Sequence, residues 1–440
     1  MVLIFGVLLM AALATHVLPS GSFEREEVNG QTRVVPGSYH HIDGNAASFF
    51  DVFLSVPKGL MEASQYLFIV FIAGGLFKVL SDTGALENLV GTTVKKVGLE
   101  NRGVIVWITT FVFGFFGVAV GFENNIALVP IAMLVARAIG GSSLIGAGMA
   151  VGGIGVGFAL SPINPYTVGV SQQIADLALF SGWEVRSCLV FLALCGVAAY
   201  TNRAIEAHPV GEDEGAQGLS KPVSEYSLSA KDYKVLAIFG GGLVYMLYGV
   251  FVYKYYINEI AATFLAIAIF VGFACRTPGE EFVKQMMDGA SAVTAGALII
   301  GLAASIQVVL EEGMIIDTVI NGLAGTLSAL PVTLAAVVTT LVQGLLNFFI
   351  PSGSGQAMVT MPILIPLGDL VGISRQTMVL AFQVGDGLTN LIVPTSGGTL
   401  AMLAMGNVSY SKWVRFCMPM MIGIYLLSWA FIVAAVLLNW

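Results

Sequence analysis

Two acidic residues stand where an acid is costly. Glu123 lies in GFENN and Asp386 in QVGDGLTN, each inside a long apolar stretch. A carboxylate at membrane depth is expensive to keep, and such residues serve ions, protons or charged solutes by default. Four clusters rich in Gly, Pro, Ser, Thr and Asn accompany them: GFENN (121–125), SPINPYT (161–167), PSGSGQ (351–356) and VPTSGGT (393–399). These residues interrupt helices and free backbone N–H and C=O groups, which only protein or a water-filled cavity can satisfy within a bilayer. Freed carbonyls and helix termini are the groups that hold an ion and a small polar solute. The candidate binding residues are therefore Glu123, Asn124, Asn125, Ser161, Asn164 and Thr167 in the first half of the chain. In the second half they are Ser352, Ser354, Gln356, Asp386, Asn390, Thr395, Ser396 and Thr399. Asn124, Asn164, Ser354 and Thr395 offer oxygens for a monovalent cation, and Na⁺ or H⁺ is the expected coupling ion. A packing kink would explain any one break, but four at related positions favour a site. No Lys or Arg is expected at the depth of the two acids, which suits a cationic or zwitterionic solute better than a dianion.

The elements that must position these residues are membrane spans. Of 440 residues, 57% are hydrophobic and only 10% charged, too few charges to coat a soluble domain of this size. Several windows reach the roughly 20 apolar residues that cross a bilayer. Spans are expected at 1–18, 64–82, 183–202, 234–253, 257–275 and 291–310 and from Trp413 onward, with amphipathic stretches at 46–62 and around ALENLVGTTVKKVG. The first span is read as retained, a cleaved signal peptide being the alternative. The residues between spans one and two, including VPGSYHHIDGN, are read as a polar loop. With the N-terminus inside, most of the 19 Lys and Arg residues fall on the cytoplasmic side, while Arg25, Arg33, Lys58, Arg186, Lys254 and Arg375 fall outside.

The chain also repeats itself. Sliding it by 232 residues aligns 115–170 with 347–402 without a gap. Gly121 then meets Gly353, Pro130 meets Pro362, Gly140 meets Gly372, Gly153 meets Gly385, Gly155 meets Gly387 and Pro162 meets Pro394. Gly and Pro dictate backbone shape, so these matches predict a common architecture. The expected fold is an all-α polytopic membrane protein of two inverted repeats, each with a re-entrant hairpin and an interrupted helix. The first repeat covers 1–202, with a hairpin at about 104–139 and a broken helix at 142–180. A cytoplasmic linker at 203–233 and an extra span at 234–256 precede the second repeat, 257–440, with a hairpin at about 331–371 and a broken helix at 374–407.

Other residues point away from chemistry. His16, His40, His41 and His208 lie at or beyond span ends, Arg137 and Arg375 read as snorkelling anchors, and Trp183, Trp413 and Trp440 suit membrane interfaces. The four cysteines lack metal or redox spacing, and no Walker A motif or nucleophile elbow appears in its required context, so an enzyme is not expected. Nor is there a basic stripe for nucleic acid; the partners are the lipid bilayer and a small solute.

Beyond this reading, several segments resemble the YfcC-like family, which groups with anaerobic four-carbon dicarboxylate carriers and proposed basic amino acid antiporters. They are VLPSGSFERE, GFENNIALVPIAM, GFALSPINPYTVGVSQQIADLALFSG and FFIPSGSGQAMVTMPILIPLGD followed by QVGDGLTNLIVPTSGGTLA, and the likeness covers nearly the whole chain. The family resembles part of the ion transporter superfamily, whose hairpin tips carry Ser-Asn-Thr with a Pro shortly behind. Here Glu123, Asn124 and Asn125 occupy the first tip, with Pro130 behind, and Ser352 to Gln356 the second, with Pro362 behind. The departure from Ser-Asn-Thr speaks against a standard sodium site. The resemblance further implies a homodimer and a transport unit that moves against a scaffold. The expected function is secondary active transport by alternating access, leaning to basic or other amino acids, with four-carbon dicarboxylates or other carboxylates as the alternative. A passive channel or a transport-like sensor is the rival of another class.

Overall fold

The computed structural model describes residues 2–28, 31–44, 46–209, 221, 223–253, 255–327 and 330–440. Lys254 and the linker residues 210–220 lie outside them. The chain starts with helix α1 (Val2–Val17). Four short strands follow: β1 (Gly21–Ser22), β2 (Arg25–Val28), β3 (Gln31–Val34) and β4 (His40–His41). β1 pairs with β4 and β2 with β3, both antiparallel. The expected polar loop is thus two small sheets. Their anchor is tertiary: Arg25 and the Phe23 amide both bond the buried Asp317 carboxylate, Arg25 Nη2 at 2.9 Å from Oδ2. An ion pair across nearly 300 residues leaves no local signature.

Helices α2 (Phe49–Glu62), α3 (Ser64–Thr83), α4 (Ala85–Val97), α5 (Arg102–Val120) and α6 (Val129–Ala138) come next. Between α5 and α6 the chain forms a short 3₁₀ turn, Glu123–Leu128. The Gly-rich region contains α7 (Ser143–Ala147), a π turn and α8 (Gly153–Ala159). After a non-helical stretch, a second π turn, Pro165–Gly169, leads to α9 (Val170–Ile174). Helix α10 (Trp183–Ala204) closes the first half. Among the linker residues described, Tyr226 is buried against Gly91 of α4 and its hydroxyl bonds Glu87.

The second half contains α11 (Ala230–Tyr248), α12 (Ile257–Cys275), α13 (Gly279–Glu312), α14 (Ile316–Leu327) and α15 (Val332–Phe349). It continues with α16 (Gly353–Val371), α17 (Arg375–Thr389), α18 (Gly397–Met405) and α19 (Tyr410–Leu437). α13 is longer than the span expected at 291–310. Its 34 residues reach about 51 Å at 1.5 Å per residue, well beyond a hydrocarbon core. Gly289 does not stop it, because its bare α-carbon packs on the backbone of Gly74 in α3, where a side chain would strike the Gly74 carbonyl. Among the described residues, eight helices are long and apolar enough to cross a membrane: α3, α5, α10, α12, α13, α15, α16 and α19. The result is an all-α polytopic membrane fold, decorated at one end by the two small sheets.

Backbone packing brings the two halves together around α8 and α17. A methyl on Gly155 would sit 2.2 Å from Leu391 Cδ2, and one on Gly387 would sit 2.5 Å from Ala159 Cα. Gly155 and Gly387 are the aligned pair, and Ala159 and Leu391 align at the same offset of 232 residues. The contact is therefore reciprocal: each half presents its glycine to the equivalent residue of the other.

Candidate functional site

Three of the four breaks are narrower than their sequence clusters, and the fourth is shifted toward the N-terminus. In the first, Glu123 opens the 3₁₀ turn, with Asn124 and Asn125 buried behind it. Asn124 Nδ2 donates to Val120 O (2.9 Å) and Asn125 Nδ2 to Gly121 O (2.6 Å), so the two amides hold the end of α5 while both Oδ1 atoms remain buried without a partner. In the second, Asn164 Oδ1 accepts from the Tyr166 and Thr167 amides and Ser161 Oγ donates to Val118 O. Asn164 is thus occupied as a cap, whereas Thr167 Oγ1 is buried and unpartnered. In the third, only 350–352 are non-helical; Gly353 to Gln356 form the first turn of α16, with Ser352 as its cap. Gln356 is buried and donates to Gln343 Oε1 (2.6 Å), while Ser354 is partly exposed. In the fourth, 390–396 are non-helical and Ser396 caps α18, accepting from the Thr399 amide.

Tertiary contacts bring each tip onto the break of the other half. Gly353, at the start of α16, faces Thr167 and Asp386: a methyl there would lie 2.6 Å from Thr167 Cγ2 and 3.2 Å from Asp386 Oδ2. Phe122 and Glu123 face Gly398, where a methyl would lie 2.9 Å from Phe122 Cδ1 and 3.2 Å from Glu123 Cγ. Asp386 is fully buried, and both of its carboxylate oxygens lack a hydrogen-bond partner. Its carboxylate lies beside the N-terminal turn of α16, whose peptide dipoles carry partial positive charge.

Freed backbone groups are answered by side chains, of which Tyr410 and Asn347 were overlooked by sequence reasoning. In the fourth break, Thr399 Oγ1 donates to Asn390 O (2.5 Å), Trp413 Nε1 to Leu391 O (2.7 Å) and the Tyr410 hydroxyl to Ile392 O. Trp413 is completely buried, not at a membrane interface as its position at a span start suggested. Thr395 Oγ1 donates to Phe348 O (3.0 Å), tying this break to the end of α15. Asn347 Nδ2 reaches Asp386 O (3.0 Å), Thr389 Oγ1 (2.9 Å) and Asn390 Oδ1 (3.1 Å). Gln343 and Asn347, one turn apart in the apolar run LVQGLLNFF, were a legible signal of a polar face on α15.

Arg186 is the larger correction, because no Lys or Arg was expected near the two acids: it is 0% exposed, and Nε donates to Gln383 Oε1 (3.0 Å), one turn of α17 before Asp386. Nη1 donates to Ser181 O (2.9 Å) and Gly182 O (3.3 Å), and Nη2 to Gln376 Oε1 (3.0 Å). Gln383 Nε2 in turn donates to Ser161 O (2.7 Å) in the second break. The guanidinium is spent on holding α10, α17 and that break together, and none of these bonds goes to Asp386. Arg375, read as an anchor, instead bridges Asp369 (2.9 Å) and Asp176 (3.4 Å).

An open cleft of about 420 Å³, lined by Ser22, Arg25, Asp317, Ile350, Gly355 and Val359, runs from the small sheets to the first turn of α16. It joins the surface to one tip. Among the described residues there is no group of three or more His, Cys, Asp or Glu side chains that could hold a metal ion.

The chain is 29% identical to the putative basic amino acid antiporter YfcC of Escherichia coli, over 100% of its own length and 96% of the relative's. It is 28% identical to an uncharacterized protein of Haemophilus influenzae, with 97% and 94% covered. Among solved structures, the Alcanivorax borkumensis YdaH transporter overlays with a TM-score of 0.47 at 16% identity, covering 100% of this chain and 98% of that one. The profile of the DcuC family, C4-dicarboxylate anaerobic carriers, matches residues 1–437. The chain belongs to that family, and it is a multi-pass inner-membrane secondary transporter of a small polar solute.

Proposed function

We propose that the protein moves a basic or other amino acid by alternating access, as an antiporter or an ion-coupled symporter, through a site shared by two inverted repeats. The observation that carries this reading is Asp386: a fully buried carboxylate with two unpartnered oxygens, placed where a tip of one half meets a break of the other. A buried acid left unpaired is costly and is explained if an ammonium group, a guanidinium or a proton completes it during the cycle. The reciprocal contacts of Gly155 with Leu391 and Gly387 with Ala159 support the repeat. The N-terminal turns of α16 and α18 lie against Asp386 and Glu123, so the acids suit the cationic end of a solute, and a carboxylate at either turn would share it with an acid. Asn124, with its carbonyl oxygen unpartnered, suits a cation better than Asn164, whose oxygen is already engaged as a cap.

The second reading, a four-carbon dicarboxylate, is favoured by the family profile, and two helix N-termini could take its two carboxylates. Uptake in proteoliposomes separates the two. Arginine, ornithine, neutral amino acids, succinate and short carboxylates are each presented under separate proton and sodium gradients and in counterflow. Arginine or ornithine exchange supports the first reading, and succinate exchange without amino acid movement replaces it with the second.

A further inference from the structure

We propose that Tyr66, Tyr166 and Tyr256 form an aromatic collar beside Glu123 that receives the cationic side chain of the transported solute, an ammonium or a guanidinium. The inference rests on the transporter reading above and adds the groups that would recognise the cation. None of the three tyrosines stood out in the sequence, because each comes from a different element. Tyr66 lies near the start of α3, Tyr166 in the π turn after Pro165, and Tyr256 just before α12.

The fold brings them to one place. α3 and α12 both pack against the 3₁₀ turn that begins at Glu123. Tyr66 lies against Gly397, where a methyl would be 3.5 Å from its ring, and the adjacent Gly398 lies against Glu123 Cγ. The rings of Tyr166 and Tyr256 are 6.3 Å apart at 49°. Tyr166 is 40% exposed and Tyr256 39%, so protein packing does not close off either residue. A carboxylate flanked by aromatic rings suits a cation twice: by direct ion pairing and by the negative faces of the rings. It disfavours a dianion, whose second carboxylate would face Glu123.

The test uses the full chain in liposomes, with arginine counterflow as the readout and succinate and alanine as competitors. Desolvated cation–π contacts predict that Tyr166→Leu and Tyr256→Leu each raise the half-saturation for arginine about 3- to 30-fold. Tyr166→Phe and Tyr256→Phe, which keep the ring, should stay within about twofold. Should a leucine variant not elute as folded protein, Tyr166→Trp takes its place. Arginine half-saturation at or below wild type in Tyr166→Trp supports the collar, and a rise of about tenfold or more overturns it. Leucine variants with wild-type half-saturation overturn the collar and leave the transporter reading intact. Succinate counterflow without arginine counterflow overturns the collar and the cationic solute, but not transport. If no solute moves in any arm, the transporter reading fails and the collar fails with it.

Discussion

Gly353→Ala is a small change placed at the point where the two halves meet. The new methyl would lie 2.6 Å from Thr167 Cγ2 and 3.2 Å from Asp386 Oδ2. Gly353 is not among the glycines with positive φ, so alanine fits the backbone and only space opposes it. The 2.6 Å contact lies far inside van der Waals range, and overpacking of this kind costs about 1–3 kcal/mol. If that cost falls on the state in which tip and break are joined, its population drops by about 5- to 150-fold, since 1.4 kcal/mol is a factor of ten. Solute half-saturation in proteoliposomes should rise accordingly, while the protein still elutes as a single folded species in detergent. Thr167→Ser removes the methyl responsible for the closest contact and keeps the hydroxyl. The double variant Gly353→Ala/Thr167→Ser should therefore recover most of the loss, with a coupling of about 0.5–3 kcal/mol in a double-mutant cycle. Wild-type kinetics for Gly353→Ala, or additive effects in the double variant, would refute the tip-on-break contact as a working part of the site.

Three further outcomes follow from the same geometry. Asp386→Asn, which keeps shape but removes charge, should abolish or uncouple solute movement without loss of folding; wild-type uptake rates would remove Asp386 from the site. Arg186→Met leaves the buried Gln383 Oε1 unpaired, at about 1–3 kcal/mol, and removes one of two donors from Ser181 O and Gln376 Oε1, which keep Gln172 Nε2, so thermal unfolding in detergent should begin at lower temperature. Lys, with no planar fork, should restore only part of that loss, and full recovery by Lys would show that charge alone matters. Gly157→Ala drives a methyl to 2.2 Å from the Gly114 carbonyl oxygen between α8 and α5, whereas nothing lies within 4 Å of a methyl at Gly240. The first should destabilise strongly and Gly240→Ala be neutral or better, as read by the same unfolding curves.

The family profile and the E. coli relative carry different solute names, dicarboxylate and basic amino acid. The site offers a physical way to choose between them. Asp386 lies beside the N-terminal turn of α16 and Glu123 beside that of α18, so each acid meets a helix N-terminus. The proposed cationic solute would pair with the acids, whereas a dianion would have to sit on those N-termini against them.

Sequence by itself was enough for whatever depends on local composition. Hydropathy marked most of the spans, because crossing a bilayer requires about 20 apolar residues in a row, although those expected at 1–18 and 234–253 are not among the eight span-length apolar helices of the described residues. Gly, Pro and Asn marked the breaks, because they alter the backbone wherever they stand, and two acids in apolar surroundings stood out for their cost. The tertiary structure decided what depends on partners distant in the chain. Arg186 read as a flanking charge until folding placed it on Gln383, nearly 200 residues away. Trp413 read as an interfacial anchor until its indole was found on the Leu391 carbonyl. The strands of the N-terminal segment owe their place to Asp317, and the collar tyrosines come together from three elements. Glu123 and Asp386 were visible from the start, but the residues they face, Gly398 for Glu123 and Gly353 beside Thr167 for Asp386, were not. Helical periodicity records which face of a helix is apolar, and it contains no information about which residue of another helix that face will touch.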